Sequence, residues 1–557
     1  MALTLALVAA IGVIWFAERS LERLNLAIAG LCFSAAVLLF VVDDFGRAIL
    51  LSSIVAAAIS GASWVKYNYS GLKLIVTDLP LAFAGTVPFL VAQYPIAVAV
   101  VVSGGLALVL AAIVALHMPG WPVTPEFQIV LLGTALAGLV AAYKAGGGAI
   151  SYQRIATERR CFYSTFIASL LDPRSWRRFG GLSLSDIADD PLPLLPAIPA
   201  RAFDYPDIIV IQHESVFDPR VYGLPVEPDV EAFLSPKNGL YGSLNVDIFG
   251  GGSWQSEFSL LTGLSSASFG SNAYFLFKRG VGRFHSSLPQ ALTALGYRTS
   301  LASSCRRDFL NYDNFYRSIG IGERLFTDDF PAPFDAKRFE ATNSDALFLE
   351  AAIDAHAKGI AADAAPRFLY ALTNFNHGPH NRRLTAPGRV DDRVRAFATA
   401  SLDDPYYTEY YARLAETAVT WNGLKSALSN HFPERPMLIV HYGDHQPVVT
   451  RQIEAKLQLP ADARRQFRTF YAIEALNYPA DRLVSGRSRN LDVAFLGTVA
   501  LQQAGLPLDE IFATRASLIE HCGDAYFASS SERKRRFHRT LVQLGAIELE
   551  PAARQPY

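Results

Sequence analysis

The 557-residue sequence predicts two joined architectures: a multi-span α-helical membrane anchor, then an α/β domain with a mostly parallel central sheet. The first follows from charge, because between Leu79 and Tyr143 only Glu126 is charged at neutral pH, whereas the rest of the chain has ordinary globular charge. The second follows from periodicity. From Asp207 onward, apolar runs of strand length alternate with helical segments, the pattern of a sheet covered by helices on both faces. The boundaries fall at 1–145 for the spans, 146–205 for a connector and 206–557 for the α/β domain. With 50 Lys+Arg against 51 Asp+Glu the formal net charge is -1, and no charged tail points to a nucleic-acid partner.

Met1–Phe16 is nearly uninterrupted apolar sequence and reads as a short first span; it lacks the basic leader of a signal peptide, and further apolar runs follow. Leu26–Val42 and Ile49–Val65 read as the second and third spans. Pro95–His117 is long enough to cross about 30 Å of hydrocarbon, and Phe127–Tyr143 makes another span. Leu79–Ala92 carries Pro80 and Pro88 and is either a re-entrant piece or a sixth crossing. Five spans with a cytoplasmic N-terminus put Arg19, Arg23, Lys66 and Lys73 outside, against the positive-inside tendency, while six spans with an outside N-terminus turn both pairs inward. Both arrangements place everything after Tyr143 outside the cytoplasm.

The connector contains an amphipathic stretch, Ile155–Leu170, with Arg154, Arg159 and Arg160, which reads as lying along the membrane surface. DPLPLLPAIPA at 190–200 reads as a semi-rigid spacer. Beyond it, Asp207–His213, Tyr297–Ser303, Arg367–Thr373 and Met437–His441 read as strands. Ser287–Leu295, Tyr410–Leu428 and Leu491–Gln503 read as helices, the second with a stripe of Leu414, Ala418, Trp421, Leu424 and Leu428. The cysteines, Cys32, Cys161, Cys305 and Cys522, have no metal-type spacing; a Cys305–Cys522 bridge is allowed in an oxidising compartment.

Polar clusters fall where the predicted strands end, which is where open parallel sheets bind ligands. Glu214 follows the first strand, and Asp444–His445 follow Met437–His441 and Tyr442–Gly443. Three glycines, Gly250–Gly252, lead into Ser253 at the start of a helical segment, where unpaired N–H groups favour an anion. Taken alone, Ser253 reads more readily as an ordinary helix N-cap than as a nucleophile. Together, one Glu, one Asp, one His and a hydroxyl make a mixed oxygen and nitrogen site for Mn²⁺, Mg²⁺ or Zn²⁺. A cation at such a site activates the serine as a nucleophile toward phosphorus and offsets charge developing on the transferred group. His377, after a central strand, is placed to contact a phosphoryl oxygen or protonate a departing alcohol, and His380 competes with it.

HES at 213–215, GGSWQSEF at 251–258, LTGL at 261–264, SLPQALTALGYRTS at 287–300, TNFNHGPH at 373–380 and YGDHQP at 442–447 occur in order over roughly 300 residues. In these motifs the region from Asp207 to Gly505 resembles the lipoteichoic acid synthase and phosphoglycerol transferase family. That family belongs to the sulfatase-like branch of the alkaline phosphatase superfamily. The resemblance implies a sulfatase-like fold and a divalent metal, typically Mn²⁺, held by Glu214, Ser253, Asp444 and His445. It also implies that Ser253, commonly threonine in relatives, accepts phosphoglycerol, with His377 in the substrate pocket. Classical sulfatases carry a C/S-x-P-x-R motif that Trp254, Gln255 and Ser256 do not fit. A tryptophan-Asn-Arg cluster expected of lipoteichoic acid synthases is replaced by Leu310, Asn311 and Tyr312, and a histidine expected near Ser303 is missing. Arg306 or Arg307 is the candidate compensating phosphate contact.

The resulting expectation is a phosphoglycerol transferase of the bacterial cytoplasmic membrane with its catalytic domain in the periplasm. It would take the group from phosphatidylglycerol and pass it to an envelope glycan through a phospho-serine. The alternatives are phosphoethanolamine transfer, phosphodiester or sulfatase-like hydrolysis at the same centre, and an inactive envelope scaffold.

Overall fold

A computed structural model of the chain describes residues 2–18, 23–70, 73–78, 95–117, 122–146, 160–172, 182, 184, 186–201, 204–307, 309–330, 345–460, 462–478 and 489–549. Long apolar runs become helices because hydrocarbon offers no partner to backbone N–H and C=O groups, which must then bond within the segment. The N-terminal runs form α1 (Ala2–Glu18), α2 (Leu24–Val42), α3 (Phe45–Ser70), α4 (Pro95–His117) and α5 (Pro125–Ala145). Four helical stretches among the described residues are long and apolar enough to cross a membrane: Leu24–Val42, Phe45–Asn68, Val98–His117 and Pro125–Ala145. The chain thus has a multi-span N-terminal membrane region. α1, at 17 residues, is shorter than these. Leu79–Ala92, Arg19, Arg154 and Arg159 lie outside the described residues. α4 exposes Val100, Val102, Leu106, Val109, Leu110 and Ile113, a surface suited to lipid.

Contacts divide the chain into two compact units, Met1–Gly180 and Gly181–Tyr557. The amphipathic stretch of the connector differs from expectation. Its helix α6 (Phe162–Leu171) is buried from Phe162 to Ser169 within the first unit and does not lie on a surface. Its first turn is held by Glu18, whose carboxylate accepts from Ser164 N at 2.9 Å and from Ser164 Oγ at 2.6 Å. An acidic group at a helix N-terminus satisfies N–H groups that have no partner inside the helix.

The second unit is built on eight strands: β1 (Asp207–His213), β2 (Gly239–Asn245), β3 (Arg298–Ser303), β4 (Glu323–Leu325), β5 (Arg367–Leu372), β6 (Met437–Gly443), β7 (Arg468–Leu476) and β8 (Leu491–Asp492). They lie in the order β4-β3-β5-β1-β6-β7-β2-β8. All pairings are parallel except those of β7, which runs antiparallel to both β6 and β2. The sheet is therefore mixed and mostly parallel. Strand alternation sorts the core into two layers. Ile208, Val210, Leu438 and Val440 pack on one face, and Ile209, Ile211, Met437 and Ile439 on the other.

Helices cover both faces. The ones that bear on the argument are α7 (Pro228–Leu234), α8 (Trp254–Thr262), α9 (Leu288–Ala294), α10 (Tyr312–Ser318), α11 (Asp345–Ala362), α12 (Arg389–Ser401) and α13 (Pro405–His431). The expected stripe of α13, Leu414 to Leu428, is buried throughout. α9 begins with a reciprocal capping box between Ser287 and Gln290. The segment Leu491–Gln503 is a two-residue strand followed by a helix, Val493–Gln503, capped by Asp492. Cys305 and Cys522 are both free, so the allowed bridge is not formed.

Candidate metal centre and nucleophile

Ser253 reaches the sheet through backbone that only glycine adopts readily. Gly250, Gly251 and Gly252 have φ of 78°, 150° and 95°, so the chain makes three consecutive left-handed steps before α8. Ser253 itself is helical, at φ -42° and ψ -38°, and its side chain does not cap α8. This sets aside the ordinary N-cap alternative. Its Oγ instead donates to Glu214 Oε2 at 2.8 Å and lies 3.4 Å from His445 Nε2.

Glu214 leaves the carboxyl end of β1, and Asp444 and His445 leave that of the adjacent β6. All three are buried, and one ligand atom from each lies within 4.8 Å of the others. His445 Nε2 is 3.3 Å from Glu214 Oε1 and 3.6 Å from Asp444 Oδ2. His445 Nδ1 is 3.1 Å from the Gln446 carbonyl. A proton on Nδ1 donated to that carbonyl leaves Nε2 as the lone-pair nitrogen facing the carboxylates. Asp444 Oδ1 accepts from the backbone N–H of Ser215 and of His445, each at 2.7 Å, whereas Oδ2 is buried without a partner.

Charge is unbalanced here. Burial and the neighbouring Glu214 push Asp444 well above the usual carboxylate range. Burial alone would raise Glu214 too, but His445 outweighs it and holds Glu214 low. Burial would lower His445, but Asp444 and Glu214 carry it up to about 9. A cation at this point would offset the charge of the two carboxylates. Two carboxylates, an imidazole nitrogen, a hydroxyl and an orphaned carboxylate oxygen fit a divalent cation; the donor set does not select among Mn²⁺, Mg²⁺ and Zn²⁺.

His377 is half-buried beyond β5. Its Nδ1 lies 2.5 Å from the Gly378 carbonyl, and its own carbonyl accepts from Arg413 at 2.9 Å. His380 is enclosed instead: Nε2 is 3.0 Å from the Asn376 carbonyl, the ring lies edge-on to Tyr410, and burial lowers its pKa to about 3. Arg307 bridges Asp313 at 3.1 Å and Asp329 at 2.5 Å, and its guanidinium lies over Phe326. These acids occupy the charge expected to meet a phosphate. Arg306 is half-buried past β3. An open cavity of about 940 Å³, lined in part by Asp218, Arg220, Tyr241 and Ser243, includes none of the clustered residues.

Sequence reasoning passed over Ser215. It adopts a left-handed φ of 57°, which turns its N–H to Asp444 and its Oγ to Glu214 Oε1 at 2.8 Å. A non-glycine residue held this way costs on the order of 1 kcal/mol and marks a site whose surroundings over-determine it. Its place inside the HES motif was the available signal.

Residues 206–469 match the family model described as Sulfatase. An uncharacterized protein of Haemophilus influenzae is 25% identical over 337 residues, covering 59% of this chain and 58% of that relative. The chain therefore matches less than two thirds of the relative's length. Lipooligosaccharide phosphoethanolamine transferase A of Neisseria meningitidis, an integral membrane protein, shares the fold over 89% of this chain and 95% of that one, with a TM-score of 0.52 and 10% identity. The Streptococcus pyogenes phosphoglycerol transferase GacH, solved with sn-glycerol-1-phosphate, aligns over 61% of this chain and 84% of that one, with a TM-score of 0.43 and 15% identity. Glu214, Ser253, Asp444 and His445 all lie within the stretch that matches the Sulfatase model.

Proposed function

We propose that this chain is a membrane-anchored enzyme that moves a phospho-linked headgroup from a membrane phospholipid to an envelope glycan, with Ser253 carrying the group in between. The observation behind this reading is the Ser253 hydroxyl, which leaves its own helix uncapped and turns toward Glu214, 2.8 Å away. A divalent cation held by Glu214, Asp444, His445 and Ser253 would favour the serine alkoxide and offset charge on the phosphoryl oxygens. Ser253 Oγ loses its proton to solvent and attacks phosphorus, and the bond from phosphorus to the diacylglycerol oxygen breaks. His377 supplies the proton that the departing alcohol needs. In the second half His377 takes back a proton from an acceptor hydroxyl as that oxygen attacks phosphorus, and the bond to Ser253 Oγ breaks, restoring the serine oxygen. Water as the acceptor would make the same centre a hydrolase.

Of the two headgroups, phosphoethanolamine is favoured. The relative whose fold covers 89% of this chain is a phosphoethanolamine transferase. Phosphoglycerol, implied by the motif resemblance, is the second reading. Both span counts place the domain outside the cytoplasm, where an envelope glycan is within reach, and the anchor raises the effective concentration of the lipid donor. The test supplies spheroplasts, whose outer leaflet alone meets the reagent, with headgroup-labelled phosphatidylethanolamine or phosphatidylglycerol and Mn²⁺. Mass spectrometry of the purified chain should then find Ser253 heavier by about 123 Da for phosphoethanolamine or about 154 Da for phosphoglycerol. No adduct from either lipid on metal-loaded protein would overturn the reading.

A further inference from the structure

One layer back along the strands from the clustered acids lies a buried hydrogen-bonded network that the proposed chemistry does not use. Glu257 sits one turn after Ser253 on α8 and is 1% exposed. Its Oε1 accepts from Tyr312 Oη at 3.2 Å and Gln212 Nε2 at 3.3 Å, and its Oε2 accepts from Tyr316. Gln212 Oε1 accepts in turn from Tyr370 Oη at 3.0 Å and from Tyr442, and those two tyrosine oxygens are 2.8 Å apart. All five partners are neutral.

The positions of these side chains are informative. Gln212 is the last residue but one of β1, two before Glu214, and Tyr442 is the last but one of β6, two before Asp444. Gln212 and Tyr442 are also register partners. Tyr370 lies on β5, the strand that leads to His377, and Tyr312 and Tyr316 lie on α10. The network therefore joins α8, which carries Ser253, to the strands that deliver Glu214, Asp444, His445 and His377.

A carboxyl buried among neutral groups is a poor device for stability, and burial pushes this one up to about 7. α8 is also tied near its start by Ser256 Oγ, which donates to the Asp444 carbonyl at 2.6 Å, and by Trp254 Nε1, which donates to the Tyr274 carbonyl at 3.1 Å, while its contacts just after Glu257 are apolar. Phe258, its neighbour, meets Phe269, Phe284 and Phe315 at centroid distances of 5.4, 4.9 and 6.1 Å. Apolar packing of this kind fixes the helix's place less tightly than directional hydrogen bonds do.

We propose that Glu257 is a positioning residue that, through Gln212, Tyr312 and Tyr316, sets the rotation and height of α8 so that Ser253 Oγ meets the Glu214–Asp444–His445 cluster. The inference rests on the reading of Ser253 as the nucleophile. A helix slide of about 1 Å is enough to take Ser253 out of line with a bound phosphoryl group, at a cost of roughly a hundredfold.

The test compares the full chain in detergent with its Glu257→Leu and Glu257→Gln variants. Three quantities are read: melting temperature, Mn²⁺ affinity by calorimetry, and affinity of the Mn²⁺-loaded protein for orthovanadate, which mimics phosphorus in transit to a serine oxygen. Glu257→Leu should melt no lower than wild type and hold Mn²⁺ within about threefold, yet bind vanadate roughly 30- to 100-fold more weakly, with Glu257→Gln in between. Unchanged vanadate affinity would overturn the inference, and so would parallel losses in all three readouts, which would mark Glu257 as structural support only. If Glu257→Leu does not fold, Tyr316→Phe carries the same comparison. Failure of wild type itself to bind vanadate would instead sink the Ser253 assignment, and this inference with it.

Discussion

At Asp444, Oδ1 is occupied by two backbone N–H groups while Oδ2 meets no donor, an asymmetry that prepares one oxygen for a cation. Without that cation, two carboxylates share a buried space with a single imidazole. Asp444→Asn should therefore act in opposite directions on the two forms. The metal-free variant should melt a few degrees higher than wild type, at about 2–4 °C per kcal/mol of relieved repulsion. Wild type should gain about 2.7 kcal/mol at Mn²⁺ a hundredfold above its Kd, and the variant almost nothing. Thermal melts with and without Mn²⁺ read both effects, and an equal Mn²⁺ shift in the two proteins would remove Asp444 from the site. Glu214, Asp444 and His445 were legible in the sequence because each directly follows a strongly apolar run. His380 and Arg307 were misleading because sequence spacing does not say whether a side chain is enclosed, as His380 is, or already paired, as Arg307 is. Ser215 and Glu257 were missed because their roles depend on a backbone angle and on partners far away in the chain.

The loop before α8 separates two costs that usually come together. At Gly251 a Cβ would meet nothing within 4 Å, so alanine there bears only the strain of φ 150°. At Gly252, with φ 95°, the same Cβ would also lie 2.9 Å from Gln255 Nε2. Gly251→Ala should cost about 1–2 kcal/mol, and Gly252→Ala should cost more and reduce Ser253 labelling further, because it pushes on the first turn of α8. Urea midpoints together with adduct yield measure this; equal effects on both readouts would mean that the contact with Gln255 is immaterial. At this scale the sequence revealed β1, β3, β5 and β6 to within two residues, since buried parallel strands read as continuous apolar runs. It did not reveal β2 and β7, because the central part of β2 is only partly buried and both strands carry polar residues. α6 misled through its basic flank, which suggested a surface, although the helix proper is almost wholly apolar and is buried.

For the second unit as a whole, the pH response is a balance of buried groups of opposite sign. His441 stacks on Trp421 at 3.9 Å and lies close to Phe233 and Phe470, with neither ring nitrogen bonded. Burial, reinforced by His213 and Lys425, holds its pKa well below the ordinary value of about 6.5. The unfolded chain therefore binds a proton below pH 6.5 that the folded chain refuses. Stability from this group is complete above that pH and falls as pH drops, by about 2 kcal/mol at pH 5. Asp345 and Asp492, raised by burial to about 7 and about 8, pull the other way, since the folded state binds their protons first. The wild-type curve is therefore not diagnostic, but the difference from His441→Phe is. The variant should keep the ring packing and gain about 2 kcal/mol on wild type between pH 7 and pH 5. Denaturant midpoints of both proteins at both pH values decide it, and a constant difference would contradict the assignment.

The sheet ends on one side in β4, three residues long, and on the other in β8, of two residues. Each of these two edge strands thus presents very little backbone of its own to a neighbouring molecule. For a domain tethered to a bilayer, this matters more than it would in free solution. Tethering confines many copies to a plane, where they meet far more often than the same number dispersed in volume. Long rims would then invite lateral strand pairing and growth into fibrils. Edge strands as short as β4 and β8 give copies that collide little to zip together at those two strands.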